Sequence, residues 1–144
     1  MIGRRAFLNV AVVALAVPVA ARAQSTGKVN RIGLLSSSLP GVDPATSPNV
    51  QAFFAGLNEL GWIEGRNLLI EYRSPGTRRE RLAAAATELL NEKVDLIFTI
   101  GGAEAPPAAQ QVTKTVPIVF ATTDDPVRAG ILPSLARPPA NVTG

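Results

Sequence analysis

From Lys28 onward, short apolar runs alternate with longer segments in which apolar residues recur every three or four positions. Runs of the first kind suit strands and segments of the second suit one face of a helix, so their alternation predicts strand-helix units and a parallel sheet. The first strand covers residues 32–35. It leads through a small, polar loop to Ser47, which is placed to cap a helix with Pro48 at its first position. In that helix Val50, Phe53, Phe54, Leu57 and Leu60 fall on one face, and Gly61 supplies the stop.

The second strand, 68–72, sets Leu68, Ile70 and Tyr72 against Glu71 and Arg73, an alternation expected of a sheet edge. Thr77 and Glu80 have capping-box spacing. They introduce a helix over about 78–93, with Leu82, Ala85, Ala86, Leu89 and Leu90 inward. The third strand, 94–100, and the fourth, 117–121, are almost continuously apolar, which places them in the sheet centre. A helix over 103–114 lies between them, with Pro106 and Pro107 tolerable in its first turn. After the fourth strand, Asp125 and Pro126 read as the start of a further helix carried by Val127, Ile131, Leu132 and Leu135. The expected class is α/β: an open parallel sheet with helices on both faces, one Rossmann-like lobe.

The first 23 residues follow a different pattern. Arg4 and Arg5 precede an apolar run over 10–21, and Ala21-Arg22-Ala23 forms a small-x-small exit. This is the order of a cleavable signal peptide. The run falls well short of the roughly 20 apolar residues that span a bilayer. The segment Arg4-Arg5-Ala6-Phe7-Leu8 is also compatible with twin-arginine export, so the general and twin-arginine routes both stay open. The expected address is the periplasm, with residues 24–144 as the mature lobe.

Charge changes the picture little. Arg4, Arg5 and Arg22 belong to the signal, which leaves eleven of the fourteen basic residues against eleven acidic ones. That balance lacks the clustered basic footprint of a nucleic-acid binder. The sequence contains no cysteine and no histidine. Disulfides, thiolate or imidazole catalysis and ordinary transition-metal sites are thereby excluded from the expectation, and no cofactor is implied. An exported hydrolase using a loop serine or Asp124 is the weaker alternative, because a serine needs a base to activate it.

In an open parallel sheet, ligands bind beyond the carboxyl ends of the strands, where loops meet helix N-termini. The candidate ligand-binding residues are therefore Ser36, Ser37 and Ser38 after the first strand, Gly101, Gly102 and Ala103 after the third, and Thr122, Thr123, Asp124 and Asp125 after the fourth. Small residues, hydroxyls and free amides suit a carboxylate or phosphate, and Asp124 suits an ammonium. Each position also has a plainer reading. The serines are ordinary turn residues, Gly101-Gly102 lets the backbone turn without the spacing of a dinucleotide fingerprint, and Asp125 caps a helix. Glu104 reads equally as a solvated carboxylate favouring a helix dipole. Trp62 follows the first helix at the opposite pole and is expected to serve packing.

Several segments together resemble the substrate-binding proteins of ABC transporters that include tryptophan- and phenylalanine-binding members. They are Arg31-Ile32-Gly33-Leu34-Leu35-Ser36, Phe53-Phe54-Ala55-Gly56-Leu57, Leu60-Gly61-Trp62-Ile63-Glu64-Gly65-Arg66-Asn67, Ile70-Glu71-Tyr72-Arg73, Val116-Pro117-Ile118-Val119-Phe120-Ala121, Asp125-Pro126-Val127 and Asn141-Val142-Thr143-Gly144. The resemblance implies a type I periplasmic-binding fold, in which two lobes clamp a small solute and deliver it to an inner-membrane ABC permease. It also implies that the loops named above face the solute. On this reading the sequence covers the N-terminal lobe without the second, as a fragment or a truncated form. An exported sensory ligand-binding domain is the alternative within the same architecture.

Overall fold

The computed structural model describes residues 27–37 and 46–144. The signal-peptide reading and Ser38 lie outside the described residues. Strands β1 (Asn30–Ser36), β2 (Leu68–Arg73), β3 (Leu96–Ile100), β4 (Ile118–Ala121) and β5 (Val142–Thr143) form one sheet, in the order β2-β1-β3-β4-β5. Every pairing between them is parallel. Helices α1 (Pro48–Glu59), α2 (Arg79–Asn91) and α3 (Ala105–Val112) supply the crossovers.

Because β1 lies between β2 and β3, the chain leaves it in one direction and later passes it in the other. With right-handed crossovers, this sends α1 to one face of the sheet and α2 and α3 to the other. Two apolar clusters record the division. Val50, Phe53 and Phe54 of α1 pack with Leu34, Phe98 and Ile100. On the other face, Leu82, Ala85, Ala86 and Leu89 of α2 and Ala105, Ala108 and Ala109 of α3 cover Leu35, Ile97, Ile118 and Phe120. The alanine-rich seam keeps α2 and α3 near the sheet, and Gly33 answers it. A Cβ on Gly33 would stand 3.0 Å from Leu89.

The chain departs from its sequence pattern in four places. The helix expected after Asp125 does not form. The Oδ1 of Asp125 accepts from the Val127 and Arg128 amides, and one turn closes, but Gly130 at φ 73° and Pro133 end it. Ile131 and Leu132 are buried nonetheless, whereas Leu135 is exposed. Second, Val142–Thr143 pairs with β4 as a fifth strand, so the fourth strand is covered at its outer edge. Third, the side-chain oxygen of neither Ser47 nor Thr77 accepts a cap hydrogen bond; α2 begins with Arg78 at its cap position, and the capping box is not made. Fourth, Leu60 is 77% exposed, because α1 ends at Glu59 and the chain turns away.

Candidate functional site

The carboxyl ends of the central strands are level: Ser36 pairs with Ile100, and Ile100 with Ala121. The turns that follow them therefore open at one pole. Between the tips of β3 and β4 and the first half of α1 lies an open depression of about 370 Å³, lined by Asn49, Ala52, Phe53, Phe98, Ile100, Gly101, Ala121, Thr122 and Thr123. Its floor is aromatic. The Phe53 and Phe98 rings stack with centroids 4.1 Å apart and planes within 5°. Its rim carries the Thr122 and Thr123 hydroxyls, the Asn49 amide and the exposed Gly101 turn. A flat apolar floor with a few polar groups at its edge suits a small organic molecule.

Gly101, Thr122 and Thr123 are thus brought together as the sequence suggests, while Asn49, Ala52, Phe53 and Phe98 were read there only as helix and strand positions. The spacing of Phe53 and the apolar run around Phe98 mark both as core, and nothing local tells an end-of-core ring from a pocket floor. Ser36 is the buried last residue of β1. Ser37 is also buried, at 5% exposure; its amide donates to the Ile100 carbonyl, 3.2 Å away. Its Oγ has no hydrogen-bond partner. Gly102 lies against that oxygen, since a Cβ at this position would come within 2.9 Å of it. Gly101 adopts φ 106°, a conformation that favours glycine. Ala103 turns toward the α2–α3 side of the core.

The aspartates separate. Asp124 and Thr122 line a neighbouring hollow of about 450 Å³ with Phe120, Pro126, Leu132 and Leu135. The Thr122 Oγ1 accepts from the Asp124 amide at 3.0 Å, which holds the turn and leaves the Asp124 carboxylate exposed. The Asp125 carboxylate is occupied by the two amides of its own turn. Glu104, at the start of α3, faces the Arg79 guanidinium at 3.6 Å. Among the described residues no cluster of three acidic side chains is placed to hold a metal ion.

At the opposite pole, Trp62 lines a shallow apolar hollow with Leu57, Leu68 and Leu96 and stays 39% exposed, less packed than expected. Asn67 ties the preceding loop. Its Oδ1 accepts from the Ile63 amide at 2.7 Å and its Nδ2 donates to the Gly61 carbonyl at 2.9 Å. Asp95 joins the starts of β1 and β3 through Lys28 and the Arg31 amide. Lys28 first, and the Arg31 amide second, hold the Asp95 carboxyl below its ordinary pKa.

The sequence and fold of the lobe are similar to those of known proteins. The tyrosine-binding protein of Clostridioides difficile (strain R20291) is 31% identical over 101 residues, which are 70% of this chain and 29% of the relative. A conserved domain protein from Vibrio cholerae superposes with a TM-score of 0.67 and 29% identity, over 81% of this chain and 38% of that one. The ligand-free, open form of a substrate-binding protein with adhesive properties from Clostridium difficile gives 0.68 and 29% over the same shares. The chain therefore spans about a third of the length of these relatives. Residues 41–144 match the family model described as ABC transporter substrate binding protein. On that match, over a lobe built as the family's solved members are built, the chain belongs to the ABC transporter substrate-binding proteins.

Proposed function

We propose that the chain is the solute-binding lobe of an extracytoplasmic receptor, exported by residues 1–23, that presents a small organic solute to an inner-membrane ABC permease. The observation that supports this most is the depression at the strand tips. It lies beside the point where the strand order reverses, where the loops after adjacent strands diverge and leave a crevice for a ligand. An amino acid fits its chemistry. The stacked Phe53 and Phe98 rings offer an apolar seat, the Gly101 turn and the Thr122 and Thr123 hydroxyls offer donors to a carboxylate, and Asp124, exposed in the neighbouring hollow, offers a counter-charge to an ammonium. The relative named for tyrosine binding supports the same cargo class.

An open lobe buries one side of a ligand and leaves the other wet. A second lobe of like construction would supply the opposite wall and most of the affinity. Binding to this chain alone is therefore expected to be weak, in the range nuclear magnetic resonance reads well. Titrating the chain with a panel of amino acids, sugars and polyamines tests the reading. Saturable shifts with one or more amino acids are expected, and no response to any amino acid removes it.

A further inference from the structure

The large apolar side chains left exposed are unevenly placed. Among the described residues they are Val29, Leu60, Trp62, Ile63, Val127 and Leu135, and the first four share the pole where the strands begin. Leu60, 77% exposed, follows α1 directly, and Gly61 at φ 84° turns the chain so that Trp62 and Ile63 come after it at the surface. The Trp62 amide donates to the Leu57 carbonyl and the Ile63 amide to Asn67 Oδ1, so the loop is fixed with these side chains in water. The Asn30 amide donates to the Asn67 carbonyl at 3.1 Å, which brings Val29 beside the same loop. Apolar surface gathered in this way marks a contact.

The order of the chain supplies the occupant. The apolar run over 10–21 joins the fold at this pole, since only residues 22–28 separate it from Val29 and β1 starts at Asn30. Fully extended, that stretch reaches about 28 Å at most. The strand tips lie a further strand length away, about 23 Å for the seven residues of β1. We propose, resting on the export reading above, that the surface of Val29, Leu60, Trp62 and Ile63 is a bilayer contact, seated at the membrane–water interface while the leader, before its removal, holds the chain at the membrane. The residue types fit: aliphatic groups enter the acyl boundary, and an indole settles at headgroup depth. Charge contributes little, because Asp95 holds Lys28, and Glu59 and Glu64 stand close in sequence to Arg66. Four side chains make a small contact, which the tether sustains by raising its effective concentration. Cleavage of the leader then releases the lobe. The solute depression, at the other pole, stays open to water throughout.

The test uses the full chain with vesicles of phosphatidylcholine, alone or mixed with phosphatidylglycerol, carrying lipids brominated high on the acyl chain. Trp62 is the only tryptophan, so quenching of its emission reports this pole and no other part of the chain. Flotation with the vesicles measures attachment separately. The chain is expected to float, more completely with the anionic vesicles that Arg4 and Arg5 favour, and Trp62 to be blue-shifted and quenched to a similar extent per bound chain on both. Leu60→Asp combined with Ile63→Asp should still float through the leader but lose most of the quenching, because carboxylates replace the groups that seat the loop. Leu60→Asp alone, at the most exposed of the four positions, should lose part of it, which keeps the test decisive if the pair disturbs the loop.

Flotation without quenching of Trp62, or wild-type quenching in both variants, overturns the bilayer contact and leaves the export reading standing. Quenching confined to the phosphatidylglycerol vesicles assigns the contact to basic groups and overturns the apolar seat. A blue shift that grows with protein concentration in the absence of lipid puts a second copy of the chain on the surface and overturns it as well. Failure to float with either vesicle removes this inference together with the leader reading it rests on.

Discussion

The two poles of the lobe are built on opposite terms. At the pole where the strands begin, polar groups are matched within the chain: Asn67 clamps its own loop through two hydrogen bonds, and Asp95 gathers Lys28 and the Arg31 amide. Gly61 and Gly65, with φ of 84° and 81°, make the bends that bring Asn67 back. At the pole where the strands end, polar groups are left over. The Ser37 hydroxyl is unpaired, the turn after β3 keeps free amides, and the Asp124 carboxylate is exposed. The first arrangement holds a shape, and the second waits for a ligand. The most distinctive string in the sequence, Gly61-Trp62-Ile63-Glu64-Gly65-Arg66-Asn67, belongs wholly to the first pole. What identifies this chain is therefore architecture, while what would bind lies among small residues common to many turns.

Substitutions separate the poles by the size and kind of their effect. The largest stability loss is expected in the shared core. Leu89→Ala removes a fully buried side chain that touches Gly33, and should cost about 2–5 kcal/mol in chemical denaturation. Asn67→Ala should cost about 1–2 kcal/mol and leave solute affinity unchanged, because both lost hydrogen bonds lie far from the depression. A change in affinity there would blur the division between poles. Thr99→Val should be neutral or stabilising by about 1 kcal/mol, since it replaces an unpaired buried hydroxyl with a methyl group of similar size.

Asp95 gives the smallest effect and the sign of a pH dependence. Its pKa is lowered on folding, chiefly by Lys28, so its contribution is present above the unfolded value of 3.8 and fades as pH falls through the lower folded value. Asp95→Asn should thus lose less than about 1 kcal/mol near pH 7, with the gap to the parent closing below about pH 4. A gap that widens on acidification contradicts the pairing.

The layered sheet was legible because its signals are local. Continuous apolar runs marked β3 and β4, alternating residues marked β2 as the edge, three- and four-residue spacing marked α1 and α2, and α3 was placed as the connection between β3 and β4 with its prolines in the first turn. The failures have physical causes of equal clarity. Two residues at Val142–Thr143 carry no periodicity and become a strand only by pairing with β4. Asp125 and Pro126 begin a helix correctly in the local sense, but Gly130 at positive φ and Pro133 stop it after one turn. At the site, the turns after β3 and β4 could be placed by topology alone. Phe53 and Phe98 could not, because a ring at the end of a core and a ring beneath a ligand have the same sequence pattern.

The central claim is that the solute meets the lobe at the strand tips and not at the Trp62 hollow. Trp62 is the only tryptophan, so its indole resonance reports the far pole without ambiguity. In an amide-resolved titration with the amino acid that responds most strongly, Gly101, Gly102, Thr122 and Thr123 should shift together along one saturation curve while the Trp62 indole stays still. Movement of the indole and of the 61–67 loop, with those four amides unchanged, would contradict the account.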